Sequence, residues 1–249
     1  MMRDKQNEFY SSISEYYHEI FPYNPAQLQF VKHQVGNIAG KQILDIGCAT
    51  GELAYQIAKE EAIVTGIDLN EELLSQAIQR KKHSHLTFQK GDMSELEKMF
   101  SPRQFDAVLC FGNTLVHLSS DSAVKQLFQG VRAISKPDAM FLIQILNYDY
   151  IIEQSITELP VIDSEKIRFI RKYDIEKGKS GIRFITSLHI KKSGKTIENE
   201  TKLLALRSKT LVYLLEEAGF TNIHLYSNFK RDKFGGNHFP FVVSAQNTV

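Results

Sequence analysis

Lys41-Gln-Ile-Leu-Asp-Ile-Gly-Cys-Ala-Thr-Gly-Glu-Leu-Ala54, followed by Ile63-Val-Thr-Gly-Ile-Asp-Leu69, decides the fold. The first segment reads as a short apolar strand, a glycine turn and the start of a helix. The second is another apolar strand, and it ends in an acid, Asp68, 21 residues after Gly47. An open α/β sheet uses this layout to hold an adenosine-containing cofactor at its strand ends.

The turn itself narrows the ligand. A dinucleotide site asks for glycine at 47, 49 and 52, but Ala49 and Glu52 fill the last two places. A carboxylate at Glu52, in the first helical turn, would repel a pyrophosphate and compete for the helix N-terminus. No Gly-Lys-Ser/Thr follows the turn, so a phosphate-binding loop is excluded too. What remains is a Gly47/Gly51 loop preceded by Asp45. Asp45 can receive an ammonium group, backbone N–H groups can receive a carboxylate, and Asp68 can accept two ribose hydroxyls. S-adenosylmethionine has these three parts. Asp45 to Gly51 resembles motif I of class I S-adenosylmethionine-dependent methyltransferases, with Ala49 in place of the usual middle glycine. The resemblance implies a cofactor site made of Asp45, Gly47, Cys48, Ala49, Gly51, Asp68 and Leu69, with S-adenosylhomocysteine as product.

Composition agrees with one large domain. The 249 residues are 43% hydrophobic and 24% charged, with a formal net charge of +1. Such a balance argues against a nucleic-acid or membrane-surface partner. The two cysteines, Cys48 and Cys110, sit at strand ends and read as reduced. With no signal peptide or long apolar run, the expectation is a cytoplasmic protein. The eight histidines are scattered, and no metal site is expected.

Strands are expected near 41–46, 62–67, 85–89, 105–111 and 138–146, and helices near 7–20, 26–38, 51–60, 71–82 and 121–135. Alternation of this kind means a parallel sheet with right-handed crossovers. Lys136-Pro-Asp138 reads as the turn into the fifth strand. Residues 165–206 then hold β-like runs at Ile167–Asp174, Ile182–Lys191 and Thr196–Leu206. Glu176-Lys-Gly-Lys-Ser-Gly181 and Lys192-Ser-Gly194 join them with hairpin signals. A helix over Ser208–Ala218, capped by Gly219, and strands near 222–228 and 239–246 close the chain. The order resembles the seven-stranded, doubly wound methyltransferase sheet, whose last strand is antiparallel. The expected organisation is a single domain, 1–249. It divides into a helical lid at 1–40, a cofactor-binding core at 41–160, an antiparallel β insertion capping the substrate at 161–206, and C-terminal elements at 207–249.

Ligands of open sheets lie at the carboxyl ends of the strands. The third strand ends in Gly91-Asp92-Met93. Asp92 can reach an adenine amino group, or it can cap the helix beginning near Ser94; Met93 and Leu69 can sandwich the base. The fourth ends in Phe111-Gly-Asn-Thr-Leu-Val-His-Leu118. A similar Gly-Asn-Ser-x-x-His-Leu segment follows the fourth strand of glycine/sarcosine-type N-methyltransferases, and the resemblance continues at Asn147-Tyr-Asp-Tyr-Ile151. It implies that Phe111 borders the cofactor and that Asn113 and His117 line the space between donor and acceptor. In that family an arginine holding the substrate carboxylate precedes Asn-Tyr-Asp. Here the residue is Leu146, so glycine is expected to be a poor substrate.

His117 can serve as a general base or as a structural residue orienting its loop. Tyr10, Tyr16, Tyr17 and Tyr23 can form an aromatic lid, with Tyr17 on the cofactor, or simply pack helices. Arg168, Arg171 and Arg183 read as exposed strand positions, although one of them could replace the missing clamp. The expected activity is methyl transfer to a small-molecule acceptor, preferably an amine nitrogen. Alternatives are transfer to oxygen or a carboxylate using His117, a binding protein without turnover, and a nicotinamide-dependent oxidoreductase, which Ala49 and Glu52 disfavour. The N-terminal aromatic helix could also pack on a second subunit, giving a homodimer.

Overall fold

In the computed structural model, which describes residues 2–175 and 181–248, the apolar runs become strands of one central sheet. They are β1 (Gln42–Ile46), β2 (Ile63–Asp68), β3 (Leu86–Lys90), β4 (Phe105–Cys110) and β5 (Ser135–Leu146). Four further strands follow, β6 (Ile162–Asp163), β7 (Ile167–Asp174), β8 (Gly181–Ile190) and β9 (Lys195–Leu204). The last two, β10 (Thr221–Tyr226) and β11 (Pro240–Gln246), return to the central sheet. Its order is β10-β11-β5-β4-β1-β2-β3. The pairs among β1 to β5 are parallel, and β11 runs antiparallel to both β5 and β10. The order reverses between β1 and β4, where a ligand crevice forms at the carboxyl ends.

The central strands are buried almost continuously, and successive side chains point to opposite faces of the sheet. Ile43, Ala107, Leu109, Leu142 and Val242 pack with Phe30 and Val31 of α3 (Pro25–Val35) and Ile57 of α4 (Glu52–Ala58). Leu44, Val108, Cys110, Phe141, Ile143 and Val243 face α7 (Asp121–Ile134) and α9 (Ser208–Glu217) on the other side. A sheet covered on both faces by helices explains the continuous apolar runs of the sequence.

The strands β6-β7-β8-β9 form a separate antiparallel sheet. Its inner face meets the N-terminal helix α1 (Met2–Ile13), with Phe9 and Ile13 packing on Ile167, Phe169, Leu188 and Ile190. The chain therefore joins its first residues to its inserted sheet through a third apolar cluster.

Some local expectations change. The helix expected over 7–20 starts earlier and breaks at a 3-10 turn, Ser14–Tyr16, before α2 (Tyr17–Ile20). Lys136-Pro-Asp138 lies within β5 instead of preceding it. The β4–β5 register shifts there and Asp138 takes φ +63°. A short helix, α8 (Tyr148–Glu153), occupies the Asn147-Tyr-Asp-Tyr segment. Asn147 caps it and Asp149 accepts the Ser208 N–H at the start of α9, so both polar residues serve helix ends. Of the expected Glu176–Gly181 turn, positions 176–180 lie outside the described residues; the flanking strands β7 and β8 pair antiparallel.

Candidate active site

Gly47 and Gly51 adopt φ of +72° and +73°, a conformation that favours glycine. At Gly47 a Cβ would also stand 2.5 Å from the Thr114 hydroxyl, so the glycine lets the turns after β1 and β4 meet. Ala49 too has positive φ, 49°, and its N–H points at Asp68. The Asp68 carboxylate, at the end of β2, accepts that N–H at 2.8 Å and the Asn70 N–H at 2.8 Å. Burial raises its pKa, while the backbone donors oppose that rise.

These turns border a cleft at the carboxyl ends of the strands. Gly47, Ala49, Asp68, Leu69, Asp92, Met93, Tyr17 and His117, all named from the sequence, line it. Asp92 has two roles here, since it also accepts the Ser94 N–H and hydroxyl at 2.9 and 2.7 Å. The cleft further contains Tyr10, Asn70, Leu73, Thr114 and Leu118. The sequence places Tyr10 only in an aromatic group and does not assign Asn70 to the site. Their inward position depends on contacts between segments about 60 to 110 residues apart.

Other expected residues stand behind the lining. Asp45 is buried, and its carboxyl is pushed up to about 7, first by burial and then by the charge of Asp68. Cys48 is buried, with its thiol pushed up by burial. A Cβ on Gly51 would stand 2.3 Å from the Phe88 ring, so this glycine serves packing. The Phe111 side chain lies away from the cleft, against Phe30 and Phe229 at ring distances of 6.4 and 5.0 Å. Asn113, expected to line the acceptor space, instead holds its loop. Its Oδ1 accepts the Leu146 N–H at 2.9 Å, and its Nδ2 donates to the Tyr148 hydroxyl at 3.2 Å. Both ends of the amide are engaged.

His117 faces α1. The Tyr10 hydroxyl lies 2.9 Å from His117 Nε2. Burial pushes this imidazole down to about 4 and the Tyr10 phenol well above its ordinary value. Near neutral pH the phenol is therefore the donor and the neutral imidazole the acceptor. The inserted sheet supplies no free arginine clamp among those considered. Arg183 is paired with Asp174 and Glu200, and Arg168 stands 3.8 Å from Asp163. Arg171, half-buried rather than exposed, donates to the Pro160 carbonyl at 2.7 Å. Among the described residues, no group of three or more His, Cys, Asp and Glu could hold a metal ion, and no helix is long and apolar enough to cross a membrane.

Comparison with known proteins adds independent findings. Residues 43–138 match the model of a methyltransferase domain family. A Geobacillus sp. (strain WCH70) protein named as a methyltransferase is 34% identical over 157 residues, covering 59% of this chain and 62% of that one. The match thus spans less than two thirds of that relative's length. A ubiquinone biosynthesis O-methyltransferase of Coxiella burnetii is 28% identical over 180 residues, covering 67% of this chain and 74% of its own. The fold is shared with an S-adenosylmethionine-dependent methyltransferase of Clostridium acetobutylicum (TM-score 0.81, 17% identity, 96% and 99% coverage). Residues 43–138 thus resemble a methyltransferase domain, and the chain as a whole has the sheet order and fold of that S-adenosylmethionine-dependent methyltransferase.

Proposed function

We propose that the cleft transfers a methyl group from S-adenosylmethionine to an amine nitrogen of a small molecule. The observation that carries this reading is Asp68, its two oxygens set by the Ala49 and Asn70 N–H groups at the mouth of the glycine turn. The residues present fit the cofactor. Asp45 is a buried carboxylate whose charge neither burial nor Asp68 compensates, which suits an ammonium group. Asp68 suits a pair of hydroxyls, and Asp92, Leu69 and Met93 suit a flat base with an amino edge. When bound, the cofactor supplies an electrophilic methyl group on a sulfonium.

The protein's task is then to align the nucleophile and exclude water. Tyr10, Tyr17, Leu118 and the Gly112–Thr114 turn shape the acceptor side. Gly112 leaves that turn open, since a Cβ there would meet nothing within 4 Å. His117, neutral and already accepting from Tyr10, is a weak base. That favours a neutral amine, which needs no strong base to attack. The O-methyltransferase named among the relatives supports a second reading, transfer to oxygen with His117 taking the proton. A panel of small amines, phenols and acids, assayed for S-adenosylhomocysteine release and product mass, separates the two. On the nitrogen reading His117→Ala keeps turnover within about tenfold of wild type. A loss of roughly 10²–10⁴-fold, the contribution of a general base, would favour oxygen.

A further inference from the structure

Asn70 connects the cofactor end of the cleft to the helix that roofs it. Its side chain is buried, with 2% exposure. Its backbone N–H donates to Asp68 Oδ1 at 2.8 Å. Its Oδ1 accepts the Leu73 N–H at 2.9 Å and so caps α5 (Glu71–Arg80). That cap determines which end of the amide is oxygen, and Nδ2 must therefore face α1. There it lies 2.8 Å from Asn7 Oδ1, 3.1 Å from the Asn7 carbonyl and 3.0 Å from Ser11 Oγ. Asn7 and Ser11 are one helical turn apart on the same face. The turn they bracket carries Tyr10, whose hydroxyl meets His117.

We infer that Asn70 is a positioning residue for the acceptor side: by gripping the Asn7–Ser11 turn it holds α1 over the cleft and keeps Tyr10 on His117. The inference rests on reading the cleft as the methyl-transfer site. An amide is required, because the position needs an acceptor toward α5 and a donor toward α1. An aspartate would keep the cap but turn an acceptor toward the Asn7 carbonyl and Oδ1, leaving only the Ser11 hydroxyl able to donate to it. Other ties of α1 do not involve Asn70: Gln76 to the Ser14 carbonyl, Asn199 to Ser12, and the Phe9/Ile13 cluster. Losing the grip should therefore loosen one turn without releasing the helix.

Asn70→Asp tests this by amide hydrogen exchange, thermal melting and imidazole NMR of His117, with and without S-adenosylhomocysteine. The expected result is exchange in residues 7–13 faster by about tenfold, as for loss of one or two hydrogen bonds in a locally opening segment. The melting temperature should fall, because a second carboxylate is buried beside Asp68, while exchange should quicken most in residues 7–13 and the His117 signals should move toward those of Tyr10→Phe. S-adenosylhomocysteine should protect residues 7–13 in wild type and do so less in the variant. Unchanged exchange in the variant, or unchanged His117 signals, would overturn the inference. If Asn70→Asp fails to fold, Ser11→Ala leaves the α5 cap untouched. It should speed exchange of the same turn by about threefold, and no change there would equally overturn the inference. Wild type that fails to bind S-adenosylhomocysteine would sink the proposed function, while the ligand-free exchange comparison would still decide the role of Asn70.

Discussion

Asp45→Asn should make the protein more stable at pH 8 and should do so in a pH-dependent way. Asp45 is 4% exposed, and burial with the Asp68 charge lifts its carboxyl from 3.8 to about 7. The folded state therefore holds this proton more tightly than the unfolded state. The stability conferred by the neutral carboxyl is fully present below pH 3.8 and is lost as pH rises toward 7. The interval is about three pH units at roughly 1.4 kcal/mol each, or about 4 kcal/mol. Asparagine imitates the neutral carboxyl at every pH. Denaturant unfolding of both proteins between pH 5 and 8.5 should show the variant's advantage growing to about 2–4 kcal/mol and levelling off above pH 7. Parallel stability curves, or a less stable variant at pH 8, would refute the reasoning. The same substitution should weaken S-adenosylmethionine binding, because the uncompensated charge is what suits the ligand's ammonium group.

Three further outcomes follow from the geometry. Gly47→Ala should lower stability by about 1–3 kcal/mol, seen as a fall in melting temperature, because a Cβ would stand 2.5 Å from the Thr114 hydroxyl at a φ of +72°. Asp68→Ala removes the acceptor of the Ala49 and Asn70 N–H groups as well as the proposed ribose contact; S-adenosylhomocysteine affinity by calorimetry should fall by about 1–3 kcal/mol. Phe9→Ala, at a position 2% exposed between α1 and the inserted sheet, should destabilise the fold by about 3–5 kcal/mol in chemical unfolding.

The sheet was largely legible because its information is local. Short apolar runs, glycine turns and the acids at strand ends lie within a few residues of one another, and the strand starts at Gln42, Ile63, Leu86 and Phe105 fall within one residue of expectation. Features that depend on distant partners were harder to read. Tyr10 meets His117 across 107 residues and Asn70 meets Ser11 across 59, distances that no local period encodes. Asn113 looked like a ligand-facing amide because its loop resembled one; its partners, Leu146 and Tyr148, come from the next strand and helix. The helix Tyr148–Glu153 was hidden by its shortness, and its start is set by the Asn147 side chain. At Phe111 the resemblance implied a ligand contact, while the ring is held by Phe30 and Phe229 from two other elements.

The most direct test of the central claim is isothermal titration of the purified protein with S-adenosylmethionine and S-adenosylhomocysteine, after mass spectrometry for co-purified ligand. The account predicts micromolar binding of both, or one of them already bound, with proton release near pH 7 as Asp45 ionises. No binding by folded, ligand-free protein would contradict the cofactor site and the methyl transfer built on it.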